Sequence, residues 1–365
     1  MKYKSKLIGL LVLTMLITSL VMVGCAPDAP TPAPAPTPAP TTAPPVSTEV
    51  FTWTLATNFG ASPTLWVFNE WEWFQKRVEI ATNGRIILEN NIDLFPATQT
   101  IDGVIRGDAE IGFQRTGWVS GTYPIVDIAS LPFFWKDALE YTLAMQDPRM
   151  VEIMDKHFAD AGLVKMAEFA AGNIDAIFAN QPIATVDDWK GLKVRTTGVL
   201  PTLTVQQLGG SPLSMATTEM ADALQKGTVD AIQTSRYYGL FLGLADVSTD
   251  VSFWAVQSAF PGAVIINQEA WDALPADLQM IMLELGREMT REVNMAEEAM
   301  SKYSATAIGM VGLTATQPEK AEIDKARQLA KPAIARWLEL AGPDGAKVLE
   351  IAADYASGAA VMLAD

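Results

Sequence analysis

The 365-residue chain has one cysteine and one histidine. Cys25 lies close to the N-terminus, so everything after it is without disulfides or thiolate metal sites. A lone His157 excludes a histidine metal cluster. A Ser-His-Asp triad or a Cys-His pair would have to use it. Its setting, Met154-Asp155-Lys156-His157-Phe158, reads instead as a partly exposed place on an amphipathic helix. There is no Gly-x-Ser-x-Gly elbow, no phosphate loop, and no Gly-x-Gly-x-x-Gly after a strand. Carboxylate pairs are numerous, but none is singled out by its surroundings. The sequence therefore points away from an enzyme. Positive charge is also scarce, with 26 Lys and Arg against 42 Asp and Glu. Three of those lysines fall in the first six positions and no acid falls in the first 24, so the remainder carries 23 − 42, or −19. That balance argues against nucleic acid and against charge-driven binding to anionic lipid.

The N-terminus speaks to location. Lys2, Lys4 and Lys6 form a basic head, and an apolar run follows over residues 7–23. Then comes Met22-Val23-Gly24-Cys25. A basic head, an apolar segment and a small residue before the cut make a secretory signal over 1–24. A membrane anchor is the alternative, because the run is near the lower limit for spanning. Cys25 favours the signal. The stretch resembles a bacterial lipobox, whose cysteine becomes the lipidated first residue, although Met22 stands where leucine is more usual. Residues 25–48 are then Cys25 and a Pro/Ala/Thr-rich segment that is too poor in large apolar side chains to fold. It reads as a semi-rigid tether with a reach of about 60 Å at roughly 3.1 Å per residue. A docking site for a proline-binding partner is the other reading. The tether is preferred, since the segment joins an anchor to a globular body.

The body, from about residue 49, alternates apolar strands with helical stretches and is α/β. Phe51-Thr52-Trp53-Thr54-Leu55-Ala56-Thr57 is an opening strand, a helix is predicted over about 64–82, and Ile86-Ile87-Leu88-Glu89 is the next strand. One internal echo stands out. Asp102-Gly103-Val104-Ile105-Arg106-Gly107 leads into a strand ending at Gln114, and Asp222-Ala223-Leu224-Gln225-Lys226-Gly227 leads into one ending at Gln233. Two copies this far apart suggest two lobes. The spacing after Pro275 predicts a long helix reaching about Gly309, and another is predicted over about 318–341. Methionines on these faces read as core.

The most pointed segment is Trp189-Lys190-Gly191-Leu192-Lys193-Val194-Arg195-Thr196-Thr197-Gly198. Leu192 and Val194 alternate with Lys193 and Arg195, so Arg195 ends a short strand. Ligands of open α/β sheets bind at such carboxyl ends. A guanidinium there matches a carboxylate with two parallel hydrogen bonds. A surface arginine paired with a local acid such as Asp187 is the structural alternative.

This segment resembles the solute-binding proteins of tripartite ATP-independent periplasmic (TRAP) transporters, the DctP-like family. So do Leu208-Gly209-Gly210-Ser211-Pro212, the stretch from Ala223 through Asp230, Val104-Ile105-Arg106-Gly107-Asp108-Ala109-Glu110-Ile111, Leu131-Pro132-Phe133 and Trp271-Asp272-Ala273-Leu274-Pro275. The resemblance spans nearly the whole body. It implies a two-lobed periplasmic-binding-protein-like fold with a ligand cleft between the lobes and a long helix spanning both. The lobes are expected as 49–171 plus roughly 260–300, and 172–259 plus roughly 301–365. It implies an extracytoplasmic, lipid-anchored receptor whose Arg195 holds a solute carboxylate and which delivers the solute to integral-membrane TRAP subunits. A receptor of an ABC transporter is the nearest alternative, and a surface hydrolase a more distant one.

Two departures refine this expectation. Many relatives carry a second arginine that would fall near Ile174 or Asp175, and this chain has none there. The expected ligand is therefore a monocarboxylate; Asp175, if it faces the cleft, could meet an ammonium or a hydroxyl, although a solvated loop acid is the preferred reading. A keto-acid branch uses a glutamate, a tryptophan and a cation where this chain has Gln233 and Thr234, so a ligand-bridging cation is the less favoured alternative and no cofactor is expected. Other cleft candidates are Asn58, Trp118, Gln233, Thr234, and Tyr237 or Tyr238.

Overall fold

Alternation in Phe51-Thr52-Trp53-Thr54-Leu55 does form the first strand, β1 (Phe51–Thr57), with Trp53 and Leu55 turned to the core. The computed structural model describes residues 48–58, 70–170, 174–215 and 217–364. The signal and tether expected over residues 1–47, Cys25 included, lie outside the described residues, as do the first turns of the helix predicted over 64–82.

The remaining strands are β2 (Ile86–Ile92), β3 (Ile111–Arg115), β4 (Leu163–Ala170), β5 (Ala176–Ala179), β6 (Lys193–Thr196), β7 (Ser211–Ser214), β8 (Ala231–Thr234), β9 (Asp250–Phe253), β10 (Pro261–Asn267) and β11 (Thr314–Thr316). They form two sheets. One runs β2-β1-β3-β10-β4 and the other β11-β9-β5-β8-β6-β7. In the first, β1 is parallel to β2 and β3, while β10 is antiparallel to β3 and β4. In the second, β6 is parallel to β7 and β8, and β5 is antiparallel to β8 and β9. Strand β10 is buried along its whole length, as its continuous run Ala263-Val264-Ile265-Ile266 requires.

Helices follow as α1 (Glu70–Ala81), α2 (Thr100–Ile105), α3 (Ala138–Met145), α4 (Pro148–Asp160), α5 (Val199–Gln207), α6 (Met220–Gln225), α7 (Arg236–Phe241), α8 (Gln268–Asp272) and α9 (Ala276–Met310). The internal echo is real. Both α2 and α6 end at a glycine with positive φ, Gly107 and Gly227, and the chain then turns into β3 and β8. Two matching helix–Gly–strand units thus sit in two different sheets.

Helix α9 has 35 residues, about 50 Å at 1.5 Å per residue. It packs on β4 and α1 of the first lobe and on α7 and β11 of the second. Leu278, Met282, Leu285, Met289 and Val293 form its buried stripe against Trp71, Phe74, Phe113 and Phe169. Each such side chain contributes roughly 1.5–3 kcal/mol relative to exposure. The helix predicted over 318–341 is instead two, α10 (Lys320–Ala330) and α11 (Pro332–Ala341). Pro332 explains the break: it has no N–H, and its ring would strike the preceding turn, so it starts a helix rather than continuing one. Helices α12 (Gly345–Ala353) and α13 (Ala359–Met362) close the chain. The C-terminal helices touch elements from both halves. Helix α11 packs on residues 124–130 and on α5, and α12 packs on α3 and α4. Among the described residues no helix is long and apolar enough to cross a membrane.

The seat of α9 on β4 is tightest at Gly286, where a Cβ would stand 2.1 Å from the Met166 carbonyl oxygen. Gly286→Ala should force α9 away from the sheet and destabilise the protein by about 1–3 kcal/mol. Gly309, on the same helix with nothing near its absent Cβ, should tolerate alanine or gain up to about 1 kcal/mol. Chemical denaturation of both variants checks the contrast.

Candidate functional site

Arg195 sits near the carboxyl end of β6, between β7 and β8. Its register partners are Leu213 and Ile232. The side chain is 4% exposed. Nη1 donates to the Gln233 carbonyl oxygen at 3.2 Å, and Nη2 to the Met215 carbonyl oxygen at 3.3 Å and to Thr217 Oγ1 at 3.5 Å. Nε is buried without a hydrogen-bond partner among the described residues. No described carboxylate pairs with the guanidinium, Asp187 included, which binds Lys190 at the surface instead. Burial alone pulls Arg195 down to about 10. A cation removed from water and met only by neutral oxygens is costly, and a carboxylate is the group that would offset the cost.

Arg195 borders a small cavity with Trp118, Ile174, Thr234, Tyr238 and Arg115. Of the residues expected at the cleft, Trp118 and Thr234 therefore share this space with Arg195. Trp118 also meets Phe260 edge-on, with centroids 6.2 Å apart. The cavity is about 40 Å³, near the room one water occupies. This space is smaller than an organic acid.

The other expected residues do not line this cavity. Asn58 binds its own lobe: Nδ2 donates to the Phe95 carbonyl oxygen at 2.9 Å, and Oδ1 accepts from Thr100 Oγ1 at 3.1 Å. Gln233 offers its backbone carbonyl to Arg195, while its side-chain amide is buried with no partner among the described residues. Asp175 already has a cation. Arg236 binds its Oδ2 through Nε at 2.9 Å and through Nη2, with the guanidinium stacked 4.7 Å over Phe253. Burial raises the Asp175 pKa and Arg236 opposes that rise. Tyr237 turns away from the cavity and donates to Glu297 Oε1 at 2.9 Å, so Tyr238 is the tyrosine on the cavity wall. The lone His157, on α4, meets Asp344 at 3.0 Å with its side chain 30% exposed. Among the described residues no cluster of His, Cys, Asp or Glu could hold a metal.

Sequence reasoning missed Arg115. It ends β3, is 3% exposed, donates from Nη1 to the Phe260 carbonyl oxygen at 3.2 Å, and lies over the rings of Phe113 and Phe260. A signal for it existed. The two echo segments close at Gln114 and Gln233, seven and six residues after their glycines, and the residues that follow are Arg115 and Thr234. Both of those residues line the cavity, one from each sheet.

Glu297, midway along α9, lies behind this wall. It is 3% exposed, and burial pushes it up to about 7 against the pull of Arg115 and Tyr237. Asp127, beside Ser130 and Ser120, is also pushed by burial to about 7. In the unfolded chain both titrate near 4. Between those values the folded state holds more protons, so stability falls as pH rises from about 4 to 7 and then levels off. Glu297→Gln should remove on the order of 2 kcal/mol of that fall. Thermal melting across this pH range checks it.

Comparison with known proteins completes the picture. The model for bacterial extracellular solute-binding protein, family 7 (DctP) matches residues 59–340. A solute-binding protein of Sulfitobacter sp. is 24% identical over 213 residues, 57% of this chain and 63% of that protein's length. The monocarboxylate 2-oxoacid-binding periplasmic protein of Nostoc sp. is 27% identical over 285 residues, 76% of each chain. In structure, DctP7 of Bordetella pertussis, an extracytoplasmic solute receptor binding pyroglutamic acid, superposes with a TM-score of 0.76 at 19% identity, over 83% of this chain and 99% of its own. The shared fold is two-lobed, with one sheet in each lobe.

Proposed function

The chain belongs to bacterial extracellular solute-binding protein family 7, a family of receptors rather than enzymes, and on that premise we propose that it captures a small organic acid through Arg195 and delivers it to an integral-membrane TRAP transporter. The observation that carries this reading is the buried guanidinium of Arg195, met by neutral oxygens alone among the described residues. One carboxylate on the ligand would supply the missing charge.

Arg115 bears on the rest of the ligand. Its charge is already balanced in part by the field of Glu297 and by the Phe260 carbonyl. It is therefore suited to donate to a carbonyl or hydroxyl oxygen, while Arg195 takes the carboxylate. This keeps the ligand a monocarboxylate, with a second oxygen a few bonds away. The ligand named for the Nostoc relative and the one bound by the Bordetella receptor both fit that description. The lobe division at 49–171 plus roughly 260–300, and 172–259 plus roughly 301–365, belongs to the same proposal. Opening between those lobes would admit a solute to a site whose cavity is now water-sized. Lipidation at Cys25 and a Pro/Ala/Thr-rich tether would hold the receptor at the outer side of a membrane.

A thermal-shift screen of organic acids identifies the ligand, because a molecule that binds only the folded state raises its melting temperature. With that ligand, Arg195→Ala should weaken binding at least tenfold, on the order of 2–5 kcal/mol at the upper end, without lowering stability. Unchanged affinity in calorimetry would remove Arg195 as the anchor.

A further inference from the structure

A second cavity, of about 210 Å³, five times the volume of the one at Arg195, is lined mainly by residues between 101 and 163, with Ala263 and Ala341. The two cavities share no lining residue but share a wall, the strand end and turn over residues 114–119. Side chains along it alternate. Gln114, Thr116 and Val119 border the larger cavity, while Arg115 and Trp118 border the smaller.

The chemistry of the larger cavity is apolar. Ile101, Ile125, Phe158, Leu163 and Ala263 are among its lining residues. Several of its polar groups are already engaged. Gln114 Oε1 accepts from the Ile101 amide, and Nε2 donates to the carbonyls of Ala97 and Arg115. Thr116 Oγ1 donates to the Pro261 carbonyl. His157 stands among the lining residues, paired with Asp344. No unopposed charge on the walls would attract an ion. An apolar cavity of about 150 Å³ takes up benzene, so this one, which opens to solvent beside exposed Thr122, has room for a single substituted ring.

We propose that this cavity is a second binding site, for a compact, uncharged, one-ring apolar molecule. An occupant presses on the same turn that carries Trp118, so it also alters affinity at Arg195. The binding claim stands apart from the organic-acid reading, whereas the coupling claim rests on it.

Toluene is the probe, and melting of the full-length protein is the readout. It should raise the melting temperature of the wild type and of Arg195→Ala. The rise should vanish in Ala263→Leu, whose added atoms fill the space. Ala161→Leu, at a more exposed edge of the same lining, serves if that variant fails to fold. No rise in the wild type, an equal rise in the filled variants, or loss of the rise in Arg195→Ala would each overturn the site. Saturating toluene should shift the affinity for the identified organic acid at least threefold, and an unchanged affinity would overturn the coupling. A toluene response with no organic-acid ligand at all would contradict the proposed function and leave this site standing.

Discussion

A guanidinium placed in the interior without a counter-charge sets the terms for the rest of this molecule. Arg195 is held by two carbonyls and a threonine hydroxyl, and nothing described nearby neutralises it. Such a group destabilises the empty protein unless its neighbours are fixed by something stronger. The surrounding sheet does the fixing. Strand β6 lies between β7 and β8, so the backbone that carries Arg195 and the carbonyl that receives it are locked into one ladder. The second lobe brings a charge to a defined place, and the first lobe closes over it with Trp118 and Arg115.

Holding two such lobes in register takes long-range elements. Helix α9 lies on β4 and on α7, and its Glu297 receives the Tyr237 hydroxyl in the buried layer behind the cavity. Arg115 feels the same carboxylate from the first lobe. One helix therefore ties the position of the cavity wall to both sheets. Helices α11 and α12 make a second tie on the far side of the molecule.

Local features of this design were legible in the sequence. Strand β1 follows its alternation, α2 and α6 stop at Gly107 and Gly227, and the long helix runs nearly as its apolar spacing predicts. Arg195 was legible too, because a short strand can be read from Leu192-Lys193-Val194-Arg195 alone, although β6 itself runs one residue further, to Thr196. What escaped depends on partners distant in the chain. Asp175 looked available until β5 paired with β8 and set Arg236 beside it, 61 residues away. Arg115 acquires its role from Phe260, 145 residues on. Which of Tyr237 and Tyr238 faces the cavity depends on how α7 packs against α9, which no local pattern records. The break at Pro332 was legible and was overlooked in favour of continuous apolar spacing.

The central claim is that a buried charge at Arg195 selects a carboxylate, and an acid and its own primary amide test it most directly. The two have nearly the same shape and differ in charge. Calorimetry of both against the wild type and Arg195→Ala forms a double-mutant cycle. The account predicts that the wild type binds the acid at least tenfold more tightly than the amide, and that the preference disappears in the variant. Equal binding of acid and amide by the wild type would contradict it.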